Sequence, residues 1–159
     1  MQIQILTVGK IKEKYLAAGI KEYLKRLSAY AKVEIREVKD EKTAENASAA
    51  EIKLLLEKEA ARLEPLLHPQ TYLIALAIEG QQFTSPDFAD HLQQQTIHGK
   101  SHFTFLLGGS LGLAPQLLVK ADLKLSFSSL TFPHQLFRLM LLEQLYRAFK
   151  INRGEPYHK

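Results

Sequence analysis

Three stretches of this 159-residue sequence carry side chains whose type and spacing could do chemistry. Gly108-Gly109-Ser110-Leu111-Gly112 stands between an apolar run and an apolar-periodic one, and glycines there let backbone N–H groups approach a ligand closely. The spacing is not GxGxxG, no acid follows some twenty residues on, and there is no GxxxxGK[ST], so the stretch reads equally as a tight turn. The second stretch, Ser126-Phe127-Ser128-Ser129-Leu130-Thr131-Phe132-Pro133-His134-Gln135, interleaves hydroxyls with large apolar residues. Small polar groups among apolar plates suit the wall of a purine pocket; a turn anchored by hydrophobic residues is the other reading. The third, Asn152–Lys159, brings together Arg153, Tyr157 and His158. Arginine can grip phosphate, tyrosine can stack on a base and histidine moves protons near neutral pH, whereas a frayed terminus needs none of these.

Other chemistries are excluded or weak. The chain has no cysteine, which removes disulfides, thiolate zinc sites and Cys nucleophiles. His98 and His102 have helical spacing, but Gly99 interrupts them and no carboxylate ligand stands nearby, so no metal is expected. His68 and His91 read as surface residues, and no GxSxG elbow is present.

The elements that must position these groups follow from periodicity. Strands are expected at Gln2–Val8, Lys32–Val38, Thr71–Ile78, His102–Leu107 and Leu123–Phe127. Helices are expected at Lys12–Tyr30, from a Ser48–Glu51 capping box to about Glu64, from a Ser85 cap with Pro86 behind it to about Gly99, at Leu113–Ala121, and at Pro133–Asn152. This alternation predicts an α/β fold with a largely parallel sheet and flanking helices, as one domain over 1–159. Ligands in such folds sit beyond the carboxyl ends of the strands, which singles out Leu76–Gly80, Leu107–Gly112 and Ser126–Pro133. With 46% apolar and 24% charged residues the chain is globular rather than disordered. It has no run long enough to span a bilayer and opens without a leader pattern, so a soluble cytoplasmic protein is expected.

Charge is unevenly placed: residues 1–32 sum to +5, 33–133 to −4 and 134–159 to +3. If the ends meet they form a positive face for a polyanion; ordinary surface lysine is the plain alternative. The last helix is apolar nearly all round, and a helix at a chain end has one sheet to lie on, so a two-fold homodimer through Pro133–Asn152 is expected.

Val8-Gly9-Lys10 with Lys14-Tyr15, Gly108-Gly109-Ser110 with Gly112, Leu125-Ser126-Phe127-Ser128 with Thr131–Gln135, Glu143–Ala148, and Arg153-Gly154-Glu155-Pro156-Tyr157-His158 stand in an order that, over the whole chain, resembles the ribosomal RNA large subunit methyltransferase H family. The resemblance implies a SPOUT-type α/β fold with a C-terminal trefoil knot, a homodimer, and S-adenosylmethionine as methyl donor. It implies methylation of N3 of a pseudouridine in 23S rRNA, on the assembled ribosome near the decoding centre. Cofactor contacts carried over by position are Leu76, Gly108, Phe127, Ser128, Ser129, Leu130, Thr131 and Phe132. For the tail, His158 is the candidate for removing the imide proton, Arg153 for stabilising charge or gripping phosphate, and Tyr157 for holding the base. A tail beyond the last helix is also expected to contribute little packing. Two rival readings stand: a non-catalytic ribosome- or RNA-binding module, and a nucleotide-binding α/β enzyme using the glycine turn for phosphate.

Overall fold

A computed structural model describes residues 1–159. Five strands, β1 (Gln2–Val8), β2 (Lys32–Val38), β3 (Tyr72–Gln82), β4 (His102–Leu107) and β5 (Leu123–Ser126), form one sheet in the order β2-β1-β4-β3-β5. All four pairings are parallel. The helices are α1 (Lys14–Leu27), α2 (Ala49–Leu63), α3 (Ser85–Ile97), α4 (Pro115–Lys120) and α5 (His134–Asn152). None is long and apolar enough to cross a membrane.

The two faces of the sheet carry separate cores, because successive side chains of a strand point opposite ways. Ile3 and Ile5 of β1 and Phe103 and Phe105 of β4 pack with α1, α3 and α5. Leu6, Val8 and Leu106 pack with α2 and α4. Strands covered on both faces read as near-continuous apolar runs, as Tyr72–Leu76 does and as Phe103–Leu107 does apart from Thr104.

Local signals account for most of the helix ends. The Ser48 hydroxyl accepts the Glu51 N–H while the Glu51 carboxylate accepts the Ser48 N–H at 2.7 Å, closing the expected capping box on α2. On α3 the cap is Thr84, not Ser85: the Thr84 hydroxyl accepts the Asp87 N–H at 3.2 Å. Ser85 is already helical and its hydroxyl donates to Gln144 on α5 at 2.8 Å. His91 is not a plain surface residue either, since its Nε2 pairs with the Tyr72 hydroxyl at 3.0 Å and burial lowers its pKa.

β3 departs most from expectation. It pairs with β5 through Leu76, leaves the ladder, and pairs again at Gln81↔Leu125 and Gln82↔Ser126. The polar run Glu79-Gly80-Gln81-Gln82 carries no strand pattern. Gly80 permits the return, because a Cβ there would lie 2.7 Å from the backbone carbonyl of Lys124. The result is a bulge at the carboxyl end of β3.

Part of the apolar surface of α5 is covered within the chain. Leu141, Leu142, Leu145 and Ala148 are buried against the sheet, and α1 and α3 both pack alongside α5. Leu136, Leu139 and Met140 stay only half-buried in the single chain, so α1 and α3 account for part of the apolar surface of α5 and the expected dimer keeps a face to cover. Leu141 in particular is fully buried core.

Candidate functional site

The carboxyl ends of β3, β4 and β5 open onto a cavity of about 610 Å³. Its walls are the β3 bulge, the Gly108–Gly112 turn, and the β5–α5 connection as far as His134 and Phe137. These are the three strand ends marked by the sequence. Leu76, Leu107, Leu111, Leu125, Phe127 and Phe132 supply the apolar surface. The polar groups are the backbone of the glycine turn, the hydroxyls of Ser110, Ser126, Ser128 and Thr131, the Glu79 carboxylate and the His134 imidazole. No lysine or arginine lines it.

The glycine turn is held by its own backbone. Gly112 adopts φ +82°, its N–H donates to the Gly109 carbonyl at 3.1 Å, and a Cβ on Gly108 would lie 2.2 Å from the Gly112 carbonyl oxygen. Gly108 is therefore required by the closure of the turn itself rather than by the space a ligand would fill.

Of the cofactor residues named from the sequence, Leu76, Gly108, Phe127, Ser128, Thr131 and Phe132 line the cavity. Ser129 and Leu130 lie outside the lining. The Ser129 hydroxyl accepts from the Gln82 amide at 3.3 Å, and Leu130 turns outward, 67% exposed, with its N–H on the Ser128 hydroxyl. They shape the loop from outside.

The three tail residues do not reach this cavity. The Tyr157 hydroxyl donates to Glu143 at 3.0 Å and lies 3.2 Å from the Tyr23 hydroxyl. Burial, followed by these hydrogen bonds, raises its pKa and keeps the phenol protonated. The ring stands edge-on to Tyr146 with the Arg147 guanidinium over its face. Arg153 lies over the Tyr30 ring, and His158 Nδ1 is 3.3 Å from Arg147. Glu155 anchors the segment on Lys150 and the Tyr30 hydroxyl, each at 2.6 Å. The tail is thus docked on α1 and α5, which corrects the expectation that it contributes little packing.

Sequence reasoning gave no role to His134, the one imidazole that lines the cavity. Burial lowers its pKa, and Arg138 lowers it further against the opposing pull of Asp40, so it is neutral at pH 7 and able to accept a proton. Arg138, 2% exposed, ion-pairs with Glu37 and donates to the Thr7 hydroxyl at 2.9 Å and the Gly9 carbonyl at 3.1 Å. It ties the start of α5 to β1 and β2. Its Nε–H has no partner. The segment 39–70, in which the sequence marks no candidate site residue, supplies Asp40 beside Gly9 and Glu59 behind Gly109. Burial raises the Glu59 pKa, and its carboxylate accepts the Glu41 N–H at 2.9 Å. A charged residue in a segment without a motif gives no signal before its neighbours are known.

The family model of predicted SPOUT methyltransferases matches residues 1–158. This chain belongs to the SPOUT methyltransferase family. Relatives from Bacillus thuringiensis (strain Al Hakam) and Bacillus cereus (strain B4264), both named ribosomal RNA large subunit methyltransferase H, are 56% identical to it over 159 residues and the full length of each chain. The resemblance read from the sequence is therefore shown. A solved structure of a probable methylase family protein from Haemophilus influenzae Rd KW20 aligns with TM-score 0.56 over 99% of this chain and 70% of its own. At 10% identity that likeness concerns the fold alone.

Proposed function

We propose that the chain is an S-adenosylmethionine-dependent methyltransferase that methylates N3 of a pseudouridine in 23S rRNA, on the assembled ribosome near the decoding centre and hence in the cytoplasm. The proposal includes the C-terminal trefoil knot and the homodimer that the family resemblance implies. The names of the full-length relatives support the RNA class. The observation that carries the cofactor is the composition of the cavity, which is apolar with small hydroxyls, a carboxylate and no cation.

That donor set fits the group. An adenosine moiety needs apolar plates and backbone or hydroxyl partners, here Leu76, Phe127 and Phe132 with the Gly108–Gly112 backbone, Ser128 and Thr131. A ligand carrying positive charge is favoured next to Glu79 and where no lysine or arginine competes. The same absence of cations argues against the rival that binds a nucleotide through its phosphates. A non-catalytic RNA-binding module has no use for a cavity of this size and character.

When bound, S-adenosylmethionine supplies an electrophilic methyl group on a positively charged sulfur. What remains for the chain is to place an acceptor nitrogen in line, exclude water and manage one proton. The imide N3 is a poor nucleophile while protonated. A neutral imidazole at the cavity can take its proton, and His134 is such a group in the same chain. The roles proposed for His158, Arg153 and Tyr157 require these residues to serve the cavity of a second copy, because in their own chain they lie against α1 and α5.

Calorimetric titration with S-adenosylmethionine and with ATP, together with tritiated-methyl transfer to ribosomes lacking the modification, tests the reading. Binding of the first ligand only, with transfer, is expected. Binding of ATP alone, or ribosome binding without methyl transfer, would overturn it.

A further inference from the structure

Most cations of this chain that pack on its helices are neutralised locally. Arg26 pairs with Glu22, Arg62 with Glu41, Arg138 with Glu37, Arg147 with Glu143 and Lys150 with Glu155. One group is not. Lys10, Lys12 and Lys14 lie in and just after the β1–α1 loop, and Lys21 and Lys25 follow on α1. All five are exposed, and none has a carboxylate within salt-bridge distance.

Their placement is ordered. Lys14, Lys21 and Lys25 are spaced i, i+7 and i+11, which puts them on one stripe of α1, while Leu16, Ile20 and Leu27 are the buried residues of that helix. Eleven residues rise about 16 Å. The loop that leads into the stripe runs beside His134, which lines the cavity. The Lys12 N–H donates to the Gln135 side chain at 3.0 Å, and a Cβ on Gly9 would lie 3.9 Å from His134 Nε2. The loop is fixed there rather than loose: the Gly9 N–H donates to the Val38 carbonyl at 2.8 Å and its carbonyl accepts from Arg138. Beside the lysines stands Tyr15, 69% exposed, a large aromatic with no packing role.

We propose that Lys10, Lys12, Lys14, Lys21 and Lys25 form a track for the phosphates of a single-stranded RNA segment, with Tyr15 stacking on one of its unpaired bases. This rests on the methyltransferase reading and adds to it the surface by which the RNA is led to the cavity. A row of unpaired lysines supplies sequence-independent attraction to a phosphate backbone. An exposed aromatic among them is the element that prefers unstacked bases over a duplex or an acidic protein surface. The cavity lacks cations, so the charge that holds RNA has to lie outside it, and the track begins at its rim.

The test compares wild type with Lys10→Gln/Lys12→Gln/Lys14→Gln, with Tyr15→Ala, and with the control Lys58→Gln/Lys100→Gln. Binding to ribosomes lacking the modification, and to protein-free 23S rRNA, is measured across a salt series alongside S-adenosylmethionine affinity and methyl transfer. The triple variant is expected to keep cofactor affinity and to lose a salt-dependence slope of about 2, at roughly 0.7 per phosphate contact on a single strand. Tyr15→Ala should weaken RNA binding by roughly 5- to 150-fold, and the control should match wild type. An unchanged slope in the triple variant, or an equal loss in the control, overturns the track. Weakened binding to ribosomes with unchanged binding to protein-free rRNA overturns it in favour of a protein partner. A wild-type chain that neither binds ribosomes nor methylates them removes the proposed function and the track together. A wild type that methylates beside a triple variant with full salt dependence removes the track alone.

Discussion

Replacing Gly108 tests whether the glycine turn shapes the cavity. The new Cβ would lie 2.2 Å from the Gly112 carbonyl oxygen, 2.3 Å from its carbon and 2.8 Å from its Cα, where such atoms keep at least 3.0 Å apart. These neighbours are backbone, so no rotamer change relieves them. Gly112 must retreat by about 1 Å, which breaks its 3.1 Å hydrogen bond to Gly109 and moves one wall of the cavity. Overpacking of this kind costs about 1–3 kcal/mol. If forming the site requires the closed turn, that energy appears in the binding constant, a roughly 5- to 150-fold loss at 1.4 kcal/mol per tenfold. Gly109 is the internal comparison. A Cβ there would be 3.3 Å from a Val8 methyl, which can give way, so Gly109→Ala should lose less than about threefold. Calorimetric titration of both variants with S-adenosylmethionine, beside far-UV spectra and urea unfolding, decides the matter. A natively folded Gly108→Ala protein with wild-type affinity would refute the reasoning and move the cofactor elsewhere.

Arg138→Met should cost about 3 kcal/mol in urea unfolding, because Glu37, Thr7 and Gly9 lose a buried partner, and Arg138→Lys should recover part of it; an unchanged midpoint would refute the tie. His91 and His134 have lowered pKa values in the fold, so below the unfolded value of about 6.5 the unfolded chain binds more protons and stability falls with falling pH. A thermal midpoint that drops as far between pH 7 and 5.5 in His91→Gln/His134→Gln as in wild type would refute that assignment. Deleting 153–159 should leave cofactor affinity intact and abolish methylation while lowering the melting temperature by a few degrees, since a docked aromatic pair contributes about 1 kcal/mol; full methylation in the truncated chain would reject a role for the tail. Mixing a Gly108→Val chain with the truncated chain should restore methyl transfer if tails cross between copies, and no recovery from a demonstrated mixed dimer would place the tail outside catalysis.

The strand–helix order and the three cavity walls were legible because they depend on local pattern. β1, β2 and β4 run from and to the residues where alternation or an apolar run starts and stops, and chemistry in a parallel sheet has one end to occupy. The failures share another cause. The return of β3 onto β5 rests on Gly80 meeting the backbone at Lys124, a contact forty-four positions away that periodicity does not report. Part of the cover on α5 comes from α1 and α3, and periodicity does not tell how much of an apolar helix its own chain will cover. Arg138 carries no mark in the sequence, because its burial depends on Glu37 from a strand about a hundred residues earlier.

Length along α5 constrains what the tail can do. His134 opens that helix at the cavity, and His158 lies against Arg147, thirteen helical residues further on. At 1.5 Å per residue positions 134 and 147 are about 20 Å apart along the axis, so even with the reach of the Arg147 side chain the imidazoles are much further apart than the ~3 Å over which a proton passes between a base and its donor. One chain cannot direct both at the same nitrogen. His134 lines the cavity of its own chain, with its pKa lowered by burial beside Arg138, whereas a catalytic His158 needs the cavity of another. Tyr157, held on Glu143, and Arg153, at the far end of α5, are likewise outside the lining of their own chain's cavity. Catalysis by the tail and dimerisation are thus one hypothesis: a monomer that is fully active would leave His134 as the only imidazole able to take the proton.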